Sequence, residues 1–255
     1  MLGWSINLFR IRGIQLAVHA SFFLLLAWVA KEGWDAAGSL GLWWSVGMLL
    51  AFFTCVVLHE LGHSLTAMRY GIGVRRILLM PIGGMAEFEA IPREPLREFL
   101  ITLAGPAVNF AIAAGLWLWV GPGPADSSYE LNLTGFAHLL LHANLVMGCF
   151  NLLPVFPMDG GRILRALLAS RMPYLRATLI AARIGRVLAV VAAVVAAVFY
   201  QSYLTALLFV FILVAGEAEY RAVRRRELED AQWREMLVRY YGAPPPADEP
   251  PLLVR

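Results

Sequence analysis

His59-Glu60-Leu61-Gly62-His63 is the stretch that decides how this chain folds, and it directly follows an uncharged run over residues 36–58. Ionisable side chains are costly inside a lipid bilayer, so their presence beside an apolar run indicates a functional site. On a helix, His59 and His63 are four residues apart and project from one face. Two imidazoles at this spacing, with Glu60 beside them to transfer protons, are typical of a zinc site.

The composition places this motif in a membrane protein. Of the 255 residues, 60% are hydrophobic and 15% are charged, whereas a soluble domain carries about 25% charged residues. The chain is therefore predicted to be a polytopic membrane protein whose surroundings are a lipid bilayer. Its net charge of +3 is small, and no nucleic-acid partner is expected. Cys55 and Cys149 both lie in apolar runs, which favours packing roles over a disulfide.

Five uncharged runs define the candidate spans: residues 13–30, 36–58, 99–125, 131–158 and 187–216. The first is expected to be a retained anchor, and the second must continue as a helix to about Met68 to include the histidine pair. A helix over the whole last run would measure roughly 45 Å, longer than a bilayer core requires. Gln201 and Ser202 predict a turn that divides it into spans near 178–200 and 203–219. The predicted fold is an all-α polytopic membrane protein with about six transmembrane helices.

Arginines mark alternate connections of this six-span chain. They follow spans two, four and six: Arg69, Arg75, Arg76, Arg93 and Arg97; Arg162, Arg165, Arg171 and Arg176; and Arg221, Arg224, Arg225 and Arg226. The positive-inside rule then predicts that both termini are cytoplasmic. Because His63 is six residues before Arg69, the metal site is expected roughly 9 Å from the cytoplasmic end of its helix. The expected location is the plasma membrane of a prokaryote.

Asp159 is the best candidate for a third metal ligand, since a catalytic zinc usually takes three protein ligands and water. It lies in Asn151-Leu152-Leu153-Pro154-Val155-Phe156-Pro157-Met158-Asp159-Gly160-Gly161. The two prolines prevent a regular helix there, and the two glycines permit tight turns. Irregular backbone at membrane depth is tolerated only where it is buried in protein or lines a wet cavity. A carboxylate on such a segment is suited to binding a cation.

These motifs resemble the site-2 protease family of intramembrane zinc metalloproteases. The resemblance depends on residues 59–63, on residues 151–161 and on Ala104-Gly105-Pro106-Ala107-Val108-Asn109, and it covers most of residues 1–220. It implies a minimal family member without PDZ or cystathionine-synthase-type domains. From the residues themselves, Gly105-Pro106 predicts a kink in the third span.

The resemblance also implies the site residues and the substrate. One zinc ion would be bound by His59, His63 and Asp159, with Glu60 as the catalytic acid and base. Asn151 matches a family asparagine and is a candidate donor to the developing oxyanion. The substrate class implied is a transmembrane protein cleaved within or near its span, and a regulatory membrane partner is left open.

The segment between spans two and three predicts a small β-structure. Residues 75–80 and 85–89 have the composition of short strands around Pro81-Ile82-Gly83-Gly84, the second with partial alternation. By resemblance this is the membrane-associated sheet near the site. We expect residues 85–89 to pair with an unwound substrate strand by β-augmentation; a purely structural hairpin is the alternative.

Other polar residues in apolar runs have simpler interpretations. His138 and His142 have the spacing of a second metal pair, but helix packing is favoured. Asn109 and Asn144 are expected to form hydrogen bonds between helices, and Asn109 is an alternative support for the site. The domain prediction is a six-span core over 1–220, a cytoplasmic surface helix over 221–241 and a disordered tail over 242–255.

Two other functions compete with the zinc endopeptidase. A membrane metallopeptidase with its HExxH helix in a soluble domain would require a downstream glutamate ligand and a sizeable cytosolic region, which do not fit this chain. A non-proteolytic metal-binding transporter or scaffold is the other alternative. Transporters often contain internal repeats; no repeat is evident here, and Glu60 would be unnecessary for metal binding alone.

Overall fold

The computed structural model describes residues 4–89, 93–122 and 131–241. The tail predicted to be disordered, 242–255, lies outside the described residues. The chain divides into two compact units, Met1–Leu153 and Pro154–Arg255. The first contains β1 (Ser5–Ile11), β2 (Ile14–His19), α1 (Ser21–Arg69), β3 (Val74–Met80), β4 (Gly83–Phe88), α2 (Pro95–Val120) and α3 (Leu133–Asn151). The second contains α4 (Asp159–Ala169), α5 (Tyr174–Val198) and α6 (Tyr203–Tyr241).

Five helices among the described residues are long and apolar enough to cross a membrane: α1, α2, α3, α5 and α6. The first of these, α1, contains 49 residues and is interrupted by non-helical backbone at Ala37 and Gly38. A Cβ added to Gly33 would lie 2.5 Å from the carbonyl oxygen of Gly41, although eight residues of straight helix span about 12 Å. The chain therefore reverses at Ala37–Gly38, and α1 consists of two antiparallel halves in backbone contact.

The sheet of the first unit has four strands in the order β1-β2-β3-β4, in which β2 and β3 are parallel and the other pairs antiparallel. β3 and β4 confirm the two predicted strands. Their turn is shorter than predicted, because Gly83 pairs with Met80 and leaves only two residues between the strands. Toward the other end of the hairpin, a 2.8 Å hydrogen bond from Arg76 to Glu87 raises the pKa of the Arg76 guanidinium, since the bond stabilises its charged form. β4 lies at an edge of the sheet.

The predicted first span, over residues 13–30, starts too early in the chain. Residues 14–19 are β2, and the helix begins only at Ser21. β2 pairs with a neighbour on each side, and a buried parallel strand is a near-continuous apolar run. Its composition therefore does not distinguish it from the start of a helix.

The core of the first unit lies between the sheet and α1. Ile14, Leu16 and Val18 of β2 join Ile77 and Leu79 of β3 against four residues of α1: Phe22, Phe53, Val56 and Leu61. Burying one such side chain stabilises the fold by about 1.5–3 kcal/mol. This packing holds the sheet beside the part of α1 that carries the histidine motif.

In the second unit, the predicted division of the last apolar run is confirmed. α5 ends at Val198, α6 begins at Tyr203, and Gln201 between them has φ 49°. The helix α6 continues to Tyr241 without interruption, through residues predicted as a separate surface helix. Two further boundaries differ from the prediction, because α3 ends at Asn151 and the short helix α4 begins at Asp159.

The segment before α4 is enclosed by two glycines of the second unit. A Cβ on Gly185 of α5 would lie 3.1 Å from Val155 Cα, and one on Gly216 of α6 would lie 3.1 Å from the Phe156 carbonyl oxygen. Small residues thus let both helices approach this irregular backbone closely. The contact fixes the position from which α4 starts.

A buried arginine completes that arrangement. Arg165 of α4 is 1% exposed, and its guanidinium lies 5.1 Å from the centre of the Phe156 ring and 5.0 Å from that of Tyr174. Its Nη1 also donates to Glu219 of α6 at 3.3 Å. An arginine at such a site must be paired, and these contacts join α4 to α6.

Candidate metal centre

His59 and His63 lie on one face of α1, as their spacing predicts, and are 3% and 7% exposed. Their Nε2 atoms are 3.1 Å apart. The Nδ1 of His59 is 2.5 Å from Asn109 Oδ1, and the Nδ1 of His63 is 2.8 Å from the carbonyl oxygen of Ile101. Since both oxygens only accept, both Nδ1 atoms carry hydrogen. Both Nε2 atoms therefore hold lone pairs, which is the form of imidazole that binds a metal.

The spacing of the two Nε2 atoms fits zinc. Two nitrogens at 2.0–2.1 Å from a tetrahedral zinc are separated by roughly 3.3–3.4 Å, close to the observed 3.1 Å. A cation bound by both nitrogens would therefore match the spacing that the helix gives them. The residues present thus suit a divalent cation of the zinc type.

Gly105 of α2 leaves open the space beside this pair. A Cβ at position 105 would lie 2.2 Å from His63 Nε2 and 2.8 Å from His59 Nε2. On the facing helix, a Cβ at Gly62 would lie 2.7 Å from the Ala104 carbonyl oxygen. The two glycines let α1 and α2 touch. The sequence predicts only a kink at Gly105, and the structure gives this residue a further role, because it leaves space beside the histidine pair.

Asn109 and Asn144 confirm the predicted hydrogen bond between helices. The Nδ2 of Asn109 on α2 donates to Oδ1 of Asn144 on α3 at 2.9 Å, and both residues are fully buried. Asn109 also contacts His59 directly. The alternative role foreseen for Asn109, support of the metal site, is thus consistent with its position.

Asp159 is the first residue of α4 and is 9% exposed. Asp159 belongs to the second unit, and its role as the third metal ligand stays a prediction. Of the two histidines of α3, His138 is buried and His142 is exposed; their predicted packing role stays a prediction.

A cavity of about 480 Å³ in the first unit borders His59. It is lined by α1 (Phe52, Phe53, Val56, His59 and Glu60), by the β3–β4 turn and the start of β4 (Pro81, Ile82, Gly83 and Gly84) and by α3 (Ala143, Val146, Met147, Phe150 and Asn151). Its walls are mostly apolar, and Glu60 and Asn151 are its two polar residues apart from His59.

Gly84 places the start of β4 directly against Glu60. A Cβ at position 84 would lie 2.7 Å from Glu60 Cγ and 3.1 Å from Glu60 Oε1. The half-buried Glu60 carboxylate is therefore confined between its helix and the sheet. The sequence predicts Gly84 only as part of a turn. It gives no sign of the contact with Glu60, because the two residues become neighbours only when the sheet packs on α1.

The fold and the site define an integral membrane protein whose buried histidine pair is suited to binding zinc. The chain belongs to Peptidase family M50, which it matches over residues 47–124 and 122–192. The resemblance to site-2 proteases that the motifs predicted is thereby confirmed.

Relatives agree with this assignment. The chain is 39% identical to "Zinc metalloprotease MJ0392" of Methanocaldococcus jannaschii over 224 residues, which is 87% of this chain and 62% of that protein. It is 38% identical to "Putative zinc metalloprotease sll0528" of Synechocystis over 165 residues, covering 61% and 42%. The chain thus spans less than two thirds of the length of these relatives. Among solved structures, it resembles the site-2 protease from Methanocaldococcus jannaschii with a TM-score of 0.61 and 37% identity, covering 85% of this chain and 95% of that one.

Proposed function

We propose that this protein is a zinc-dependent intramembrane endopeptidase that hydrolyses peptide bonds within or near transmembrane segments of other membrane proteins. The observation that carries the proposal is the pair of Nε2 atoms 3.1 Å apart, next to Glu60 on the wall of a cavity. The names of the relatives and the family membership support the same activity.

His59, His63 and Asp159 are the proposed ligands of one zinc ion. Both imidazoles have the required tautomer, and Asp159 is a buried carboxylate at the start of α4. Bound zinc lowers the pKa of water and polarises a carbonyl group. With two histidines and one carboxylate as ligands, zinc would have a position open for water or substrate.

Glu60 is the proposed acid and base. It follows His59 directly on α1, and its half-buried carboxylate lines the cavity. In this position it would accept the proton of the attacking water and later donate a proton to the leaving amine. The close contact with Gly84 restricts its side chain to this side of the sheet.

Asn151 is the proposed donor to the oxyanion. It is the last residue of α3 and lines the same cavity. One N–H of its side-chain amide donates to the Met147 carbonyl oxygen at 3.1 Å. The amide nitrogen has two N–H groups, and we propose that the second donates to the negative oxygen that develops during peptide cleavage.

The proposed substrate is an unwound transmembrane segment added to the edge of β4. Two residues of β4, Gly83 and Gly84, line the cavity, and β4 is an edge strand. A substrate strand paired with residues 85–89 would therefore extend toward Glu60. The apolar lining of the cavity suits the side chains of a membrane-spanning sequence.

Proline substitutions at adjacent positions test this pairing. Successive N–H groups of a strand point to opposite edges. Of the two variants Met85→Pro and Ala86→Pro, one therefore removes a hydrogen bond to β3, and the other removes an N–H group at the open edge. The variant that loses the open-edge group should keep its melting temperature and lose cleavage. If cleavage falls only in the variant that unfolds, or in neither, substrate pairing with β4 is rejected.

We further propose six spans, both termini in the cytoplasm and the active site nearer the cytoplasmic face of a prokaryotic plasma membrane. Counting the two halves of α1 separately converts five spanning candidates into six. The arginine-rich connections support this orientation. The core is proposed to cover 1–220, with 221–241 extending beyond it into the cytoplasm.

Glu60→Gln tests the proposed function. The variant removes the proton carrier but no proposed ligand, so it should bind zinc as the unmodified protein does and fail to cleave a membrane-anchored reporter. Comparing membrane proteomes that contain active or Glu60→Gln protein would then identify substrates. A fully active Glu60→Gln protein rules out this mechanism. Zinc binding without any cleavage by the unmodified protein would favour a transporter or scaffold.

A further inference from the structure

We propose that Asn144 is a positioning residue for the metal: acting through Asn109, it determines which nitrogen of His59 carries the proton. The proposal rests on the proposed function, because it takes His59 to be a zinc ligand. The relevant contacts all lie within the first unit, along a line from α3 through α2 to α1.

The first contact fixes the direction of the hydrogen bonds. The side-chain nitrogen of Asn144 lies 2.9 Å from the carbonyl oxygen of Leu140 and 3.3 Å from Cys55 Sγ. A backbone carbonyl can only accept, so the group that faces it must be the donor Nδ2. Oδ1 of Asn144 then faces the other way, toward Asn109.

The direction is transmitted to His59 in two further bonds. Asn144 Oδ1 accepts from Asn109 Nδ2 at 2.9 Å, which leaves Asn109 Oδ1 facing His59 Nδ1 at 2.5 Å. That oxygen requires a hydrogen on Nδ1, and the lone pair is therefore on Nε2. Because Asn109 and Asn144 are 0% exposed, bulk water does not substitute for a missing partner.

The two proposed histidine ligands differ in the kind of acceptor that faces their Nδ1 atoms. The Nδ1 of His63 donates to the backbone carbonyl oxygen of Ile101, which a side-chain rotation cannot exchange for a donor. The acceptor for His59 belongs to an amide whose oxygen and nitrogen exchange places on rotation by 180°. Asn144 prevents that rotation because it accepts from one end of the Asn109 amide.

Without Asn144, Asn109 is free to present its N–H₂ group to His59. That orientation favours hydrogen on Nε2, which would then donate toward His63 Nε2, 3.1 Å away, in place of metal binding. Loss of the outer partners of a metal ligand typically lowers affinity 10–100-fold. The effect of Asn144 should disappear when residue 109 has two accepting oxygens, as in Asn109→Asp.

A double-mutant cycle on the full chain in detergent tests the relay. Zinc dissociation constants, measured by chelator competition, are compared for the unmodified protein, Asn144→Leu, Asn109→Asp and the double variant. We expect Asn144→Leu to weaken zinc binding about tenfold alone and less than about twofold in the Asn109→Asp background. Melting temperatures report loss of packing separately, and Asn144→Ala replaces Asn144→Leu if the latter does not fold.

The outcomes separate the relay from the proposed function. Equal losses in both backgrounds would show that Asn144 acts through packing alone, and unchanged affinity in both would show that it has no effect; either result overturns the relay while zinc binding stands. If neither the unmodified protein nor Asn109→Asp binds zinc, both the relay and the proposed metal site are rejected.

Discussion

Gly105→Ala is the substitution for which the structure predicts the largest effect with the fewest added atoms. The new methyl carbon would lie 2.2 Å from His63 Nε2 and 2.8 Å from His59 Nε2, whereas nonbonded heavy atoms prefer roughly 3.5–4.0 Å. A zinc ion bound to both nitrogens at about 2.0–2.1 Å requires nearly the same space. The methyl group and the metal therefore exclude each other.

We expect Gly105→Ala to weaken zinc binding at least 100-fold, which corresponds to about 2.8 kcal/mol. Zinc affinity of the purified protein, measured by chelator competition, checks this value. Gly115→Ala is the matched control on the same helix, since its Cβ would meet no atom within 4 Å and alanine has the higher helix propensity. Zinc affinity of Gly105→Ala within about threefold of the unmodified protein would refute the assigned metal position.

Three further substitutions test other contacts. Gly84→Ala introduces a Cβ 2.7 Å from Glu60 Cγ, so we expect kcat for a reporter to fall at least tenfold, about 1.4 kcal/mol, with zinc affinity unchanged. Asp159→Asn removes the charge of the proposed third ligand and should weaken zinc binding about 100-fold, measured by competition. Arg165→Met removes a buried cation from Glu219 and should lower the unfolding free energy by about 2 kcal/mol, below the range for fully buried pairs because Glu219 retains access to water.

Each of these three substitutions has a control variant and an outcome that would contradict the prediction. Gly47→Ala, whose Cβ would make only a 3.8 Å contact, is the control for the added methyl group. Normal turnover of Gly84→Ala would contradict the restriction of the proposed catalytic carboxylate by this contact. Glu229→Gln removes an exposed acid of α6 and is the control for Asp159→Asn. Undiminished zinc binding by Asp159→Asn would exclude Asp159 as a ligand. Arg224→Met changes an exposed arginine and is the control for Arg165→Met. Equal stability of these two variants would contradict the stabilising role of the buried Arg165.

The sequence by itself determined the membrane setting, the division of the last apolar run at Gln201–Ser202 and the facing histidine pair. These are local properties. Span length follows from a run of apolar residues, and the pairing of His59 with His63 follows from the helical repeat. The candidate residues of the site were likewise named from short motifs, whose residue types already specify metal and proton chemistry.

Only the tertiary structure assigned β2 to a sheet, Gly105 to the metal site, Gly84 to the contact with Glu60 and Asn144 to the His59 tautomer. The pairing of β2 with β3 and the contacts of Gly105, Gly84 and Asn144 with these partners each join residues at least 24 positions apart in the chain. Composition is the same whether an apolar segment is strand or helix, and a glycine has the same sequence signature in a turn as in a crowded contact. These roles are decided by the packing of α1 against the sheet, α2 and α3. Only this close packing determines where a glycine leaves space for a neighbouring group and which direction a hydrogen bond can take.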